Sequence, residues 1–130
     1  MSSYLNLYVK KRDSEEKPLL LISFSRSSNI YQAFNEHFDL YSSTGELTEI
    51  TQSMIDSLKA DIYSDLTRAK NRYTTYLESG NKASLEDIES IKEYIYDLEY
   101  CVSEAEFISE IIMGCALKCS DFEGVYAFID

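Results

Sequence analysis

The 130-residue chain has no tryptophan, one proline, one histidine and four glycines. Each scarcity removes a class of chemistry. His37, flanked by Glu36 and Phe38, is the one imidazole base, and no Gly-x-Ser-x-Gly stretch presents a nucleophile to it. A hydrogen-bonded histidine at a helix end is therefore its expected role. The glycines are scattered and form no phosphate-cradling loop. A di-iron bundle needs Glu-x-x-His pairs, and none occurs. Cys115 and Cys119 lie four apart, and with His37 brought beside them they would make only a Cys₂His set. That spacing is no recognised zinc knuckle, so they are expected to be small buried hydrophobes. Carboxylates are abundant enough for acid–base work, but acids spread along an exposed helix are usually a solvated face. No enzyme activity, no cofactor and no metal are expected.

Long apolar runs are missing as well. The longest, Leu19–Ile22, is far too short to span a bilayer. The opening MSSYLNLYVKK lacks the apolar stretch of a secretory leader, and the cysteine count is odd. Together these predict a soluble cytoplasmic protein with free thiols. Positive charge is scarce too, with 12 Lys and Arg against 23 Asp and Glu, a net charge of −11. Residues 84–130 hold twelve acids against Lys92 and Lys118, so nearly all of the excess lies there. Such a field repels bare nucleic acid and anionic membrane and attracts basic protein surfaces.

What the chain does have is 45% hydrophobic residues and eleven tyrosines. That content predicts a folded chain, despite the charge. Its length suits a single domain, 1–130, around one core. Tyrosine adds large contact area with a polar tip, useful in a core and on a surface.

Tyr4 to Lys10 alternates, with Leu5, Leu7 and Val9 on one face, which predicts a strand. The charged stretch Lys11–Lys17 reads as a solvated connection. Pro18 opens a second strand, Leu19–Ser25, where its missing N–H does least harm. The two are expected to pair as an antiparallel hairpin, with no Asn-Gly or Asp-Gly pair to set the turn. Ser27, Ser28 and Asn29 offer caps for a short helix, Ile30–Phe38, so that 1–40 is hairpin plus short helix. Ser42-Ser43-Thr44-Gly45 reads as a loop. Finally, Gly124–Ile129 alternates enough for a third strand at 124–129, with a short helix as the alternative.

Between lie two long helical stretches, 48–79 and 84–119. The first starts between Thr48 and Ser53 and carries the stripe Ile55, Leu58, Ile62, Leu66 (or Asp65), Ala69, Tyr73 and Leu77. Gly80 suits the left-handed position that ends a helix, and Ser84 caps the next. The second carries a heptad-like seam, Ile88, Ile91, Ile95, Leu98, Val102, Ala105, then Ile108 or Ser109, Ile112 and Ala116. A short connection forces the helices into an antiparallel hairpin with arms of roughly 40–50 Å. Counting out from the turn places Arg72 near Glu89 or Glu93, Arg68 near Glu93 or Asp97, and Lys59 near Glu104 or Glu106. From Phe107 onward the helix is apolar nearly all round and is expected to be buried on several faces. Gly114 permits close approach there or marks the helix end. The predicted fold class is α+β, a small antiparallel sheet with a short helix and a coiled-coil-like αα-hairpin.

The candidate site is an acidic ridge on the second long helix, Glu86, Glu89, Glu93, Asp97 and Glu104, with Tyr96 and Tyr100 among them. The nine acids from Glu86 to Glu110 occupy about 36 Å of helix. That is one charge per ~4 Å, near the ~3.4 Å of a DNA strand. Such a ridge can fill the basic groove of a nucleic-acid-binding enzyme and exclude its substrate. Exposed aromatics beside charge are typical interface anchors. The plain alternative is a solubilising face partly neutralised by Lys59, Arg68 and Arg72. Arg68, Lys70 and Arg72, with Tyr73 and Tyr76 nearby, form the one basic cluster, but the acidic partner helix and the net charge oppose nucleic-acid binding.

In size, acidity and tyrosine content the chain resembles the small inhibitors that bacteriophages use against host defences, anti-CRISPR and anti-restriction proteins among them. The resemblance is one of size and charge. It rests on no motif and assigns no residue a role. It implies a viral, non-enzymatic inhibitor whose partner is a protein with a basic surface, and no direct contact with nucleic acid or membrane. A homodimer or larger oligomer, assembled through the hairpin or a sheet edge, is the second expectation, with leftover apolar surface from Tyr100, Phe107 and Ile111. A small-molecule module with a tyrosine-lined pocket is the third.

Overall fold

The computed structural model describes residues 4–13, 15–40, 45–79, 84–114 and 121–129. In chain order these form β1 (Tyr4–Lys11), β2 (Leu19–Ser25), α1 (Asn29–Phe38), β3 (Thr48–Ile50), α2 (Gln52–Glu78), α3 (Leu85–Ile112) and β4 (Phe122–Ile129). The class is α+β, with a four-stranded antiparallel sheet in the order β2-β1-β4-β3 and two long helices packed against each other.

The sheet follows from alternation. Leu5, Leu7 and Val9 of β1 are fully buried, and the register sets them opposite Ile129, Ala127 and Val125 of β4. β2 occupies the expected residues and pairs antiparallel with β1, with a bulge between Leu7 and Tyr8. The β1–β2 connection turns at Asp13 (φ 56°), a left-handed position that aspartate tolerates better than most residues. β4 is a strand from Phe122, two residues earlier than expected, and lies beside β1.

The sequence reading missed β3. Residues 48–50 fall within the stretch assigned to the long helix, yet they pair antiparallel with Ala127, Tyr126 and Val125. Thr51 is the true helix cap. Its hydroxyl accepts the Met54 N–H at 3.3 Å, and its own N–H donates to the Met54 sulfur. A three-residue strand carries little more than one alternation, too short for periodicity to register.

α2 buries Ile55, Leu58, Ile62, Leu66 and Ala69 as its stripe predicts; Leu77 is exposed. Ser84 caps α3 by accepting the Asp87 N–H at 3.0 Å. At about 1.5 Å per residue, α2 and α3 are each about 40 Å long. α1 lies across the root of this hairpin. Its Asn29 amide donates to the Asp97 carbonyl at 3.4 Å, and His37 Nδ1 sits 2.8 Å from Asp61 Oδ2 on α2. α1 ends at Asp39 in the left-handed conformation, its N–H donating to the Asn35 carbonyl.

Two features of α3 differ from expectation. Cys101, rather than Val102, is the fully covered seam residue, so the buried line runs Cys101, Ala105, Ile108, Ile112. A third packing element causes this shift, because α1 draws the buried face around the helix. The stretch after Glu106 is also not buried all round. Ile108 and Ile112 are in the core, but Phe107 and Met113 are 49% and 41% exposed. The sheet and α2 cover only one side of it. The α-helix closes at Ile112, two residues before Gly114. The expected continuation to residue 119, with Ala116, Cys115 and Cys119, lies outside the described residues, as do Gly80 and the loop at 41–44.

Candidate functional site

The outer face of α3 is built by helical spacing. With the seam turned to α2 and the sheet, Glu89, Glu93, Tyr96 and Tyr100 follow one another at steps of four, three and four on the opposite side. All four are exposed, Tyr96 at 70% and Tyr100 at 58%. Glu89, Glu93, Tyr96 and Asp97 line one groove of about 350 Å³, with Lys92 at its side. Lys92 Nζ is 4.0 Å from Glu89 Oε1. A second groove, of about 460 Å³, runs between the helices past Tyr73, Ile95 and Tyr96. Tyr96 thus stands as a wall between two open clefts. Glu86 is exposed in the first turn of α3, where its charge complements the positive helix end.

Glu104 is not part of this surface. It is half-buried at the contact of α3 with α1, facing the Ile30 backbone N–H, and its Oε1 has no hydrogen-bond partner among the described residues. Burial raises its carboxyl above the ordinary value, and the Ile30 N–H opposes that rise. Sequence spacing puts Glu93, Asp97 and Glu104 on one side of the helix, and α1 covers the far end of that side. No signal in the sequence marks which flank of a long helix a third helix will take. Ser28, at the start of α1, makes no side-chain cap. Its hydroxyl donates to the Ser25 carbonyl at 2.8 Å, so the first turn of α1 has no local side-chain cap and faces the Glu104 carboxylate instead.

The ion pairs across the hairpin are not those expected from counting. Lys70 Nζ meets Glu99 at 3.6 Å, and the Tyr63 hydroxyl donates to Glu106 at 2.5 Å. That second contact, in place of a Lys59 pair, raises the Tyr63 phenol above its ordinary value. Arg68 binds Asp65 on its own helix. Arg72 donates to the Tyr76 hydroxyl at 3.1 Å and stacks over its ring, in a groove shared with Asp87 and Tyr94. The basic cluster is therefore spent largely within α2, leaving Glu93 and Asp97 without the expected arginines. Such surface pairs contribute about 0–1 kcal/mol each, so they set orientation more than stability.

Among the described residues, no group of three or more His, Cys, Asp or Glu side chains is placed to hold a metal ion, and His37 is occupied with Asp61. Cys101 is buried and its thiol is pushed up to about 11, first by burial and then by the nearby Glu104 charge. A thiol so protonated is a poor nucleophile at neutral pH. Among the described residues, no helix is long and apolar enough to cross a membrane. Comparison with protein-family models, curated proteins and solved structures gives no match.

Proposed function

We propose that this chain is a non-enzymatic binding protein that presents the outer face of α3 to a basic protein surface, such as the nucleic-acid groove of an enzyme. The observation that supports it is the exposure of Tyr96 and Tyr100, one turn apart and set among Glu89, Glu93 and Asp97. Burying a tyrosine ring against a partner contributes apolar area, while flanking carboxylates select a basic partner and speed encounter. A solubilising face needs the acids but has no use for the rings. An inhibitor of the anti-restriction or anti-CRISPR kind would work in this way, by occupying a groove that otherwise holds nucleic acid.

The test is affinity capture from the native host followed by mass spectrometry, then titration of the captured partner with variants. Glu93→Lys with Asp97→Lys, and separately Tyr96→Ala, are expected to weaken binding at least about tenfold with the fold intact. Affinity should also fall steeply with added salt. A partner that binds these variants as tightly as the wild type would remove the arm as the site.

A further inference from the structure

Among the described residues, no helix covers the second face of the sheet. Since Leu5, Leu7 and Val9 point into the core, Tyr4, Asn6, Tyr8 and Lys10 point away from it. The register sets Leu20 of β2 and Tyr126 of β4 on either side of Tyr8, and Phe128 beside Asn6. Tyr8 and Phe128 meet edge to face at 6.5 Å. Together with Lys17, Pro18 and Leu47 they line an open, mainly apolar groove of about 260 Å³. Leu20 and Leu47 are 54% and 46% exposed. An antiparallel sheet with one solvated face normally turns polar residues outward. Here Tyr8, Leu20, Leu47, Tyr126 and Phe128 share the outward face around one polar pair, Asn6 and Ser23, and contiguous exposed apolar surface marks an interaction site.

Charge decides what can cover it. The chain carries a net charge of −11, so two copies repel wherever acids meet acids. The outer face of α3 therefore cannot face itself. The sheet face carries both signs. Lys17 borders the groove on the β2 side, Lys10 pairs with Glu123 at 3.8 Å, and Glu49 stands on β3 beside Gly124. A two-fold interface shows the same patch twice and must be complementary to itself. A half-turn about an axis parallel to the strands lays the β2 side of one sheet over the β3 side of the other. That places Lys17 of each copy toward Glu49 of its mate and the apolar middle on itself.

We propose that a second copy of this chain covers the open sheet face, sheet against sheet, in a two-fold dimer with its acidic arms directed outward on opposite sides. The interface and the α3 surface are separate, so the dimer would present two arms to a partner.

Light scattering and sedimentation equilibrium on the full chain test this at about 0.05 M and about 0.5 M NaCl. The expected mass is twice the 15.0 kDa of the chain, held or strengthened at the higher salt because screening relieves net repulsion. Leu20→Glu and Leu47→Glu, both at exposed positions, should leave the circular-dichroism spectrum intact and halve the mass. Tyr96→Ala with Tyr100→Ala should leave the mass unchanged. Leu47 lies across the sheet from the free edge of β2, so association along that edge would survive Leu47→Glu. A monomeric wild-type chain overturns the proposal. So does a dimer that persists in folded Leu47→Glu, or one that is lost on removing Tyr96 and Tyr100.

Discussion

The Glu104 carboxylate on α3 faces the backbone N–H of Ile30 in the first turn of α1, while its Oε1 lies buried with no hydrogen-bond partner among the described residues. The contact ties two elements far apart in the chain and places an anion at the positive end of a helix. Burial outweighs that benefit, since the Glu104 carboxyl is raised above its ordinary value of 4.5. The native state therefore holds this proton more tightly than the unfolded chain does. The contribution is greatest below pH 4.5 and is lost as pH rises through the folded value. Glu104→Gln keeps an acceptor for Ile30 without the charge and should remove that fall in stability. Glu104→Ala removes the carboxylate facing the first turn of α1 and should cost about 0.3–1 kcal/mol, as loss of an anion near a helix N-terminus does. Urea midpoints of the three proteins between pH 4 and pH 7 check both outcomes.

Cys101 should react with a thiol reagent only when the structure opens. Its folded-state value of about 11 against an ordinary 9.0 also predicts that stability falls as pH rises through that window. Labelling in a Cys115→Ser, Cys119→Ser background, with and without denaturant, isolates this thiol. A rate matching a free peptide thiol under native conditions would contradict its burial. Cys101→Ser, which places a hydroxyl in the same apolar site, should destabilise by about 1–3 kcal/mol.

Asn35 is fully buried in α1, and among the described residues neither its amide nitrogen nor its amide oxygen has a hydrogen-bond partner. An unmet amide in the core costs about 1–3 kcal/mol, whereas a leucine of similar size would add apolar contact. Asn35→Leu is therefore expected to raise the melting temperature, measurable by circular dichroism. A fall would show that the amide is satisfied.

The arm should loosen from root to tip. The last fully buried positions toward the turn are Ala69 and Ile91, while Leu77 and Leu85 are 56% and 76% exposed. Local opening is easiest where few apolar contacts hold the helices together. Amides at 71–79 and 85–90 should exchange with solvent faster than those at 55–69 and 101–112, as mass spectrometry of exchanged peptides would show.

The strands and long helices were legible because each repeats a simple period over many residues. Pro18 and the Leu5-Leu7-Val9 alternation marked the hairpin, and Ser84 marked the start of α3. β3 was hidden because Thr48–Ile50 is short and abuts the cap at Thr51. Of the candidate surface, Glu86, Glu89, Glu93, Asp97, Tyr96 and Tyr100 were placed correctly as exposed. Glu104 was not, because helical spacing reports which residues share a side and not which side a neighbour will claim. Phe107 misled in the opposite direction. Its hydrophobicity suggested core, but no described element lies over it.

The strand order β2-β1-β4-β3 also sets the sequence of events in which the protein can be made. β1, among the earliest segments to leave the ribosome, finds its second neighbour only when β4 is complete, on the order of a hundred residues later. Until then the β1–β2 hairpin has an open edge and Leu5, Leu7 and Val9 lack their facing residues. Contacts this distant in sequence form slowly. The nascent chain therefore passes through an interval in which its most apolar strands are unpaired, and the early synthesis of α1, α2 and α3 offers those strands a surface to shelter against before the sheet can close.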